Sequence, residues 1–123
     1  MKTVLIVDDS AFMRKVMKGI VVKNGYEVVS EAKSGVEAVA EFKKHKPDII
    51  TMDVVMNEMD GLSALKTIIK INHNANVIMV SSMGQDVIVR EAIVEGAKNF
   101  ILKPFTEQQV ITAFEKLGTS PIK

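Results

Sequence analysis

Five times along this chain a short apolar run that reads as a β-strand is followed by an amphipathic stretch that reads as a helix. The strand candidates are Thr3–Asp8, Glu27–Ala32, Asp48–Asp53, Asn76–Ser81 and Asn99–Lys103. Three of them carry Val4-Leu5-Ile6-Val7, Ile49-Ile50-Thr51-Met52 and Val77-Ile78-Met79-Val80 and are almost continuously apolar. Strands buried on both faces have that pattern, as in a parallel sheet between two helical layers. Glu27–Ala32 is more polar and suits a sheet edge.

The helical stretches place apolar residues three and four apart. The first carries Phe12, Met13, Val16, Met17 and Ile20, with Ser10 set to cap its start and Gly25 just past its end. The second opens on Ser34 and Glu37, a capping-box spacing, and turns Ala38, Val39 and Phe42 inward. The third follows Gly61 with Leu62, Leu65, Ile68 and Ile69. The fourth runs from about Gln85 to Glu95 and stops at Gly96. Thr106 and Gln109 give a second capping box before Val110, Ile111, Phe114 and Leu117. Five β/α units in 123 residues predict one doubly wound α/β domain over residues 1–123, with right-handed crossovers putting helices on both faces. A (β/α)₈ barrel needs about eight units and is excluded.

Composition removes several function classes. Without cysteine there are no disulfides or thiolate metal sites. Sixteen basic and 15 acidic residues, a net charge of +1, give no basic face for nucleic acid. The longest apolar runs are far below the ~18 residues of a membrane span, and the start is too short for a signal peptide. A cytoplasmic location is compatible with all of this.

In open α/β sheets ligands bind beyond the carboxyl ends of the strands. Those ends bring Asp8 and Asp9, Asp53, Ser81 and Ser82, and Lys103-Pro104 to one predicted rim. Two bare carboxylates ~4 Å apart repel by about 4 kcal/mol at an effective dielectric of 20. Three of them there require compensation, and one ammonium with one divalent cation balances the charge. Oxygen-only ligands favour Mg²⁺ or a similar hard ion, such as Mn²⁺, over zinc. Cation, lysine and hydroxyl together suit phosphoryl chemistry. Spacing alone does not decide which carboxylate reacts. Asp8 and Asp9 read as cation holders, and Asp53, alone at the end of a buried strand, is the favoured nucleophile. Met56, Met59 and Met83 lie close enough to this rim to wall a pocket. His45 and His73 are read as solvated, and Lys43-Lys44-His45-Lys46 as a helix terminus favourable to the dipole.

Val7-Asp8-Asp9-Ser10, Asp53 with Met56 through Gly61, Ser81 and Lys103-Pro104-Phe105, in this order and spacing, resemble the receiver domain of two-component response regulators. The resemblance covers essentially the whole chain. It implies a flavodoxin-like, five-stranded parallel sheet in the order 2-1-3-4-5. It implies that Asp53 accepts a phosphoryl group from a histidine kinase, and that Asp8, Asp9, Asp53 and the Val55 carbonyl serve Mg²⁺. Lys103 would contact the phosphoryl group, Ser81 would swing toward it, and Phe100 would rotate inward in the active state. Lys103–Pro104 would be a cis peptide.

Val7-Asp8-Asp9-Ser10-Ala11-Phe12-Met13-Arg14 and Ser82-Met83-Gly84-Gln85 look like chemotaxis regulators of the CheY type. That implies a monomer whose partners are a kinase, a flagellar motor switch protein or other effector, and a phosphatase. The sequence departs from the family at Asn57, where proline is usual, so a looser loop and an intact site are expected. Apolar Val55 and Met83, two positions after Asp53 and Ser81, imply slow self-dephosphorylation. The alternatives are a phosphorelay intermediate, a receiver cut from a larger regulator such as a chemotaxis methylesterase, and a small Mg²⁺-dependent phosphatase. The short tail from Gly118 to Lys123 fits a free-standing protein. A haloacid-dehalogenase phosphatase needs D-x-D after the first strand, where this chain reads Asp8-Asp9-Ser10. Neither glycine-rich nucleotide motif occurs.

Overall fold

Successive side chains of a strand point to opposite faces, and the central strands fill both sides of the sheet. Leu5, Val7, Ile50, Met52, Val77 and Met79 enter one core; Val4, Ile6, Ile49, Ile78 and Val80 enter the other. The computed structural model describes residues 2–56 and 59–118. In chain order the elements are β1 (Thr3–Val7), α1 (Ala11–Lys23), β2 (Glu27–Ala32), α2 (Gly35–His45), β3 (Ile49–Asp53), α3 (Gly61–Ile71), β4 (Val77–Ser81), α4 (Asp86–Val94), β5 (Asn99–Leu102) and α5 (Glu107–Gly118). All strand pairs are parallel, in the order β2-β1-β3-β4-β5. The fold is the doubly wound α/β sheet expected from the alternation, with the polar second strand at an edge.

The first core takes Ala38, Val39 and Phe42 from α2, Ala64, Leu65 and Ile68 from α3, and Ala92 from α4. The second takes Met17 and Val21 from α1 and Val110, Ala113 and Phe114 from α5. Tyr26 meets Phe114 edge to face, with ring centroids 4.9 Å apart. Four strands are each one residue shorter than expected, and the trimmed residues Asp8, Asp48, Asn76 and Lys103 flank the ladder with side-chain bonds.

Capping follows the sequence closely. Ser10 Oγ accepts from the Met13 N–H at 3.2 Å, and Thr106 and Gln109 make a full capping box. Ser34 accepts from the Glu37 N–H, while Glu37 reaches past the cap to accept from the Lys33 N–H. Asp60 caps α3 through the Ser63 N–H at 2.8 Å. Phe12 departs from the expected apolar face and is 71% exposed. Burial on α1 centres on Met17 and Val21, four residues apart, and at 100° per residue Phe12 falls well off that line.

Candidate functional site

The parallel register brings the carboxyl ends of β1, β3 and β4 to one rim, and the predicted charged cluster is there. One carboxylate oxygen each from Asp8, Asp9 and Asp53 lies within 4.8 Å of the others. Lys103, just after β5, reaches across the rim. Its Nζ is 2.9 Å from Asp8 Oδ2 and 3.4 Å from Asp53 Oδ2. Asp8 commits both oxygens, since Oδ1 accepts from the Ser10 N–H at 2.9 Å. Asp8 and Asp53 are buried and Asp9 is exposed, so the cluster is walled by protein on one side and open to water on the other.

Backbone packing sets the depth of Asp53. The Val54 N–H donates to the Val80 carbonyl, and the Gly61 N–H donates to the Val54 carbonyl. A Cβ at Gly61 would run into the Asp53 carbonyl oxygen and the Val54 backbone. Only glycine lets the first turn of α3 lie this close to the end of β3. Gly61→Ala is expected to cost about 2–3 kcal/mol, as overpacking against backbone does. A lowered urea midpoint checks this, and an unchanged midpoint contradicts it.

Burial is the main reason the Asp53 carboxyl is pushed up from its ordinary 3.8 to about 6. Lys103 opposes the rise, and the negative charges of Asp8 and Asp9 add to it. Burial alone would lower the Lys103 ammonium, but its bonds to Asp8 and Asp53 outweigh this and raise it. The site therefore holds its lysine charged and its central carboxylate destabilised first by burial and then by neighbours of like charge.

This geometry has close relatives. Residues 4–115 match the response regulator receiver domain. The chain is 54% identical to the chemotaxis protein CheY of Bacillus subtilis over 113 residues, covering 92% of this chain and 94% of that protein. It is also 54% identical to the CheY of Thermotoga maritima, covering 95% and 98%. The chain belongs to the response regulator receiver family. It is a phosphorylation-activated response regulator, from a family of CheY-like regulators rather than typical enzymes. In fold it superposes on CheY in the crystal structure of the CheX-CheY-BeF3-Mg²⁺ complex of Borrelia burgdorferi, with a TM-score of 0.93 and 36% identity over 97% of this chain and 90% of that one.

Two further residues singled out by the sequence lie on β4 and β5. Ser81 is buried at the end of β4, and its carbonyl accepts from the Lys103 N–H at 2.6 Å. Phe100, on β5, is half exposed. Ser81 and Phe100 line one groove of about 680 Å³ between α4 and β5, with Val89 and Leu102. Lys103–Pro104 is cis, as expected. Val55 sits exposed in the turn after β3. Asn57 lies outside the described residues.

Several expectations need revision. Met56 is buried in the core rather than walling the site, and Met83 is 83% exposed. His45 is not simply solvated, because its Nε2 meets Glu41 at 3.2 Å, one helical turn earlier. Sequence reasoning also missed two supports of the rim. Gln85 accepts from the Ser82 N–H at 2.7 Å, and Arg14 donates to the Asp8 carbonyl at 2.8 Å. Gln85 had a signal, three residues after Ser82 at a capping spacing. Arg14 had only its place at the end of the run from Val7 that carries the resemblance, which says nothing of the carbonyl it holds.

Proposed function

We propose that Asp53 is the phosphoacceptor of a chemotaxis-type receiver that acts in the cytoplasm as one unit over residues 1–123. The reading rests on one observation: Asp53 is buried at the end of β3, 3.4 Å from the Lys103 ammonium and within 4.8 Å of two further carboxylates. The donor set fits a hard divalent cation. It is made of oxygen alone, three carboxylates exceed one ammonium by two negative charges, and Asp9 leaves a side open for retained water. Asp8, Asp9, Asp53 and the Val55 carbonyl would hold Mg²⁺ or Mn²⁺. Bound there, the ion supplies charge neutralisation for phosphoryl oxygens.

The chain's own residues divide the remaining work. A carboxylate oxygen of Asp53 attacks the phosphorus of a phosphohistidine on a partner kinase. The O–P bond forms as the N–P bond breaks, and the bonding pair leaves on the imidazole nitrogen. Lys103 is already directed at Asp53 and stabilises the charge on the transferred group. The product carries about half to one unit more negative charge than a carboxylate. Ser81 turns to donate a hydrogen bond to it, and Phe100 moves into the groove the two residues share. The face of α4, β5 and α5 is thereby biased toward a flagellar motor switch protein or other effector, and phosphoryl group and effector strengthen each other's binding. The only chemistry catalysed is gain and loss of this phosphoryl group. A dedicated phosphatase is in keeping with the relative solved together with CheX.

Acetyl phosphate tests the reading. The protein is expected to shift on a phosphate-affinity gel with Mg²⁺ and to stay unshifted with chelator. Labelling that ignores Mg²⁺ would contradict it. Val55 and Met83, two positions after Asp53 and Ser81, are apolar and exposed and present no group to orient an attacking water. The shifted band is therefore expected to decay over minutes or longer after donor removal, and a half-life of a few seconds would speak against this.

A further inference from the structure

Every polar group of Asp8 is committed. Its N–H donates to the Ala32 carbonyl at 3.1 Å, and its carboxylate holds the Ser10 N–H and Lys103. Its carbonyl is taken by Arg14, whose Nη1 donates at 2.8 Å from the first turns of α1. That carbonyl belongs to the Asp8–Asp9 peptide plane, so fixing it fixes the direction in which Asp9 leaves the strand. Arg14 is itself braced. Its Nε donates to Glu31 Oε1 at 3.1 Å on β2, and the other Glu31 oxygen lies 3.7 Å from Lys18. The side chain spans α1, the β1–α1 turn and the edge strand, and it is only 18% exposed.

We propose that Arg14 is a positioning residue that aims Asp9 at the cation site through the Asp8 carbonyl, an inference that rests on the proposed role of Asp8 and Asp9 as cation ligands. The forked guanidinium can serve a carbonyl and a carboxylate at once, whereas a lysine ammonium lacks the planar fork. Glu31 neutralises Arg14 locally, so the residue acts by geometry more than by charge. The two roles have opposite signs. If Arg14 were only a nearby positive charge, removing it would tighten the binding of a divalent cation. If it positions Asp9, removing it weakens that binding, as loss of a group supporting a ligand generally does, by about 10-fold or more.

Mg²⁺ affinity of the unphosphorylated protein, followed by amide chemical shifts of Asp8, Asp9 and Asp53, separates these. Arg14→Ala and Arg14→Lys are both expected to weaken Mg²⁺ about tenfold. Glu31→Gln, which keeps an acceptor for Nε, should fall between these and the parent, and Lys18→Ala should match the parent. In acetyl phosphate labelling the Mg²⁺ concentration for half-maximal rate should rise in Arg14→Lys, while the rate at saturating Mg²⁺ stays within about twofold. Unchanged or tighter Mg²⁺ binding in Arg14→Lys overturns the proposal, and so does a lowered plateau with an unmoved midpoint. A parent protein that takes up no Mg²⁺ would instead overturn the cation-site reading itself. Should Arg14→Ala fail to fold, Arg14→Lys and Glu31→Gln carry the same comparison.

Discussion

Asp53→Asn is expected to lose all phosphoryl labelling and yet to be the more stable protein at neutral pH in the absence of divalent cations. The stability half follows chiefly from the burial of the Asp53 carboxyl, with the charges of Asp8 and Asp9 adding to it. The Asp53 carboxyl moves from about 3.8 when unfolded to about 6 when folded, so the native state binds that proton more tightly than the unfolded chain does. A carboxyl raised in this way adds stability below its unfolded value, and that contribution is lost as pH rises through the folded one. Above about 6 the folded protein carries the full cost of an ionised Asp53 beside Asp8 and Asp9. Asparagine removes the cost. The gain is about 2 kcal/mol at pH 7, which raises the melting temperature by several degrees for a chain this size. The gap should close as pH falls toward 4, and Mg²⁺ should narrow it by stabilising the parent alone. A variant less stable than the parent at pH 7 without Mg²⁺ would contradict the electrostatic picture.

Lys103→Met should do the opposite. Lys103 is the one cation in contact with the carboxylates of Asp8 and Asp53 among the described residues, and both ion pairs are largely buried. Removing one partner of a buried pair leaves uncompensated charge, which typically costs 3–5 kcal/mol; with Lys103 still partly open to water, about 2 kcal/mol is expected at pH 7. Millimolar Mg²⁺ should restore much of that loss, and the variant should bind Mg²⁺ more tightly because a competing positive charge is gone. Two substitutions at side chains 3.4 Å apart are thus expected to move stability in opposite directions, and because removing Lys103 then leaves only Asp8 uncompensated, the double variant should be more stable than the near-zero sum of the two single effects. Thermal melts with and without Mg²⁺ give all four corners of the cycle. Equal losses at Asp53→Asn and Lys103→Met would indicate that packing, not charge, governs the site.

The sheet was legible because its three central strands are almost continuously apolar, a pattern that suits strands covered on both faces. The helices were legible through their caps, with Ser10, Ser34 and Thr106 all accepting where spacing placed them. Asp8, Asp9, Asp53 and Lys103 converge because strand ends in a parallel sheet must, and this needs no knowledge of side-chain direction. What escaped depends on such direction. Phe12 and Met17 are equally apolar in the sequence, yet only Met17 faces the sheet. Arg14 is one basic residue on a helix that also carries Lys15, Lys18 and Lys23. Its reach to the Asp8 carbonyl exists only once α1 has packed against the edge of the sheet. The close approach at Gly61 is likewise tertiary, since a glycine opening a helix has no local signature that tells a cap from a contact.

Where the phosphoryl group goes is the most direct test of the site. Protein labelled with acetyl phosphate and Mg²⁺ can be reduced with borohydride, which converts an acyl phosphate to an alcohol and leaves a permanent mass change for peptide sequencing. The expected result is modification at Asp53 alone, absent when Mg²⁺ is withheld. Modification at Asp8 or Asp9, or at Asp53 to the same extent without the metal, would contradict the assignment.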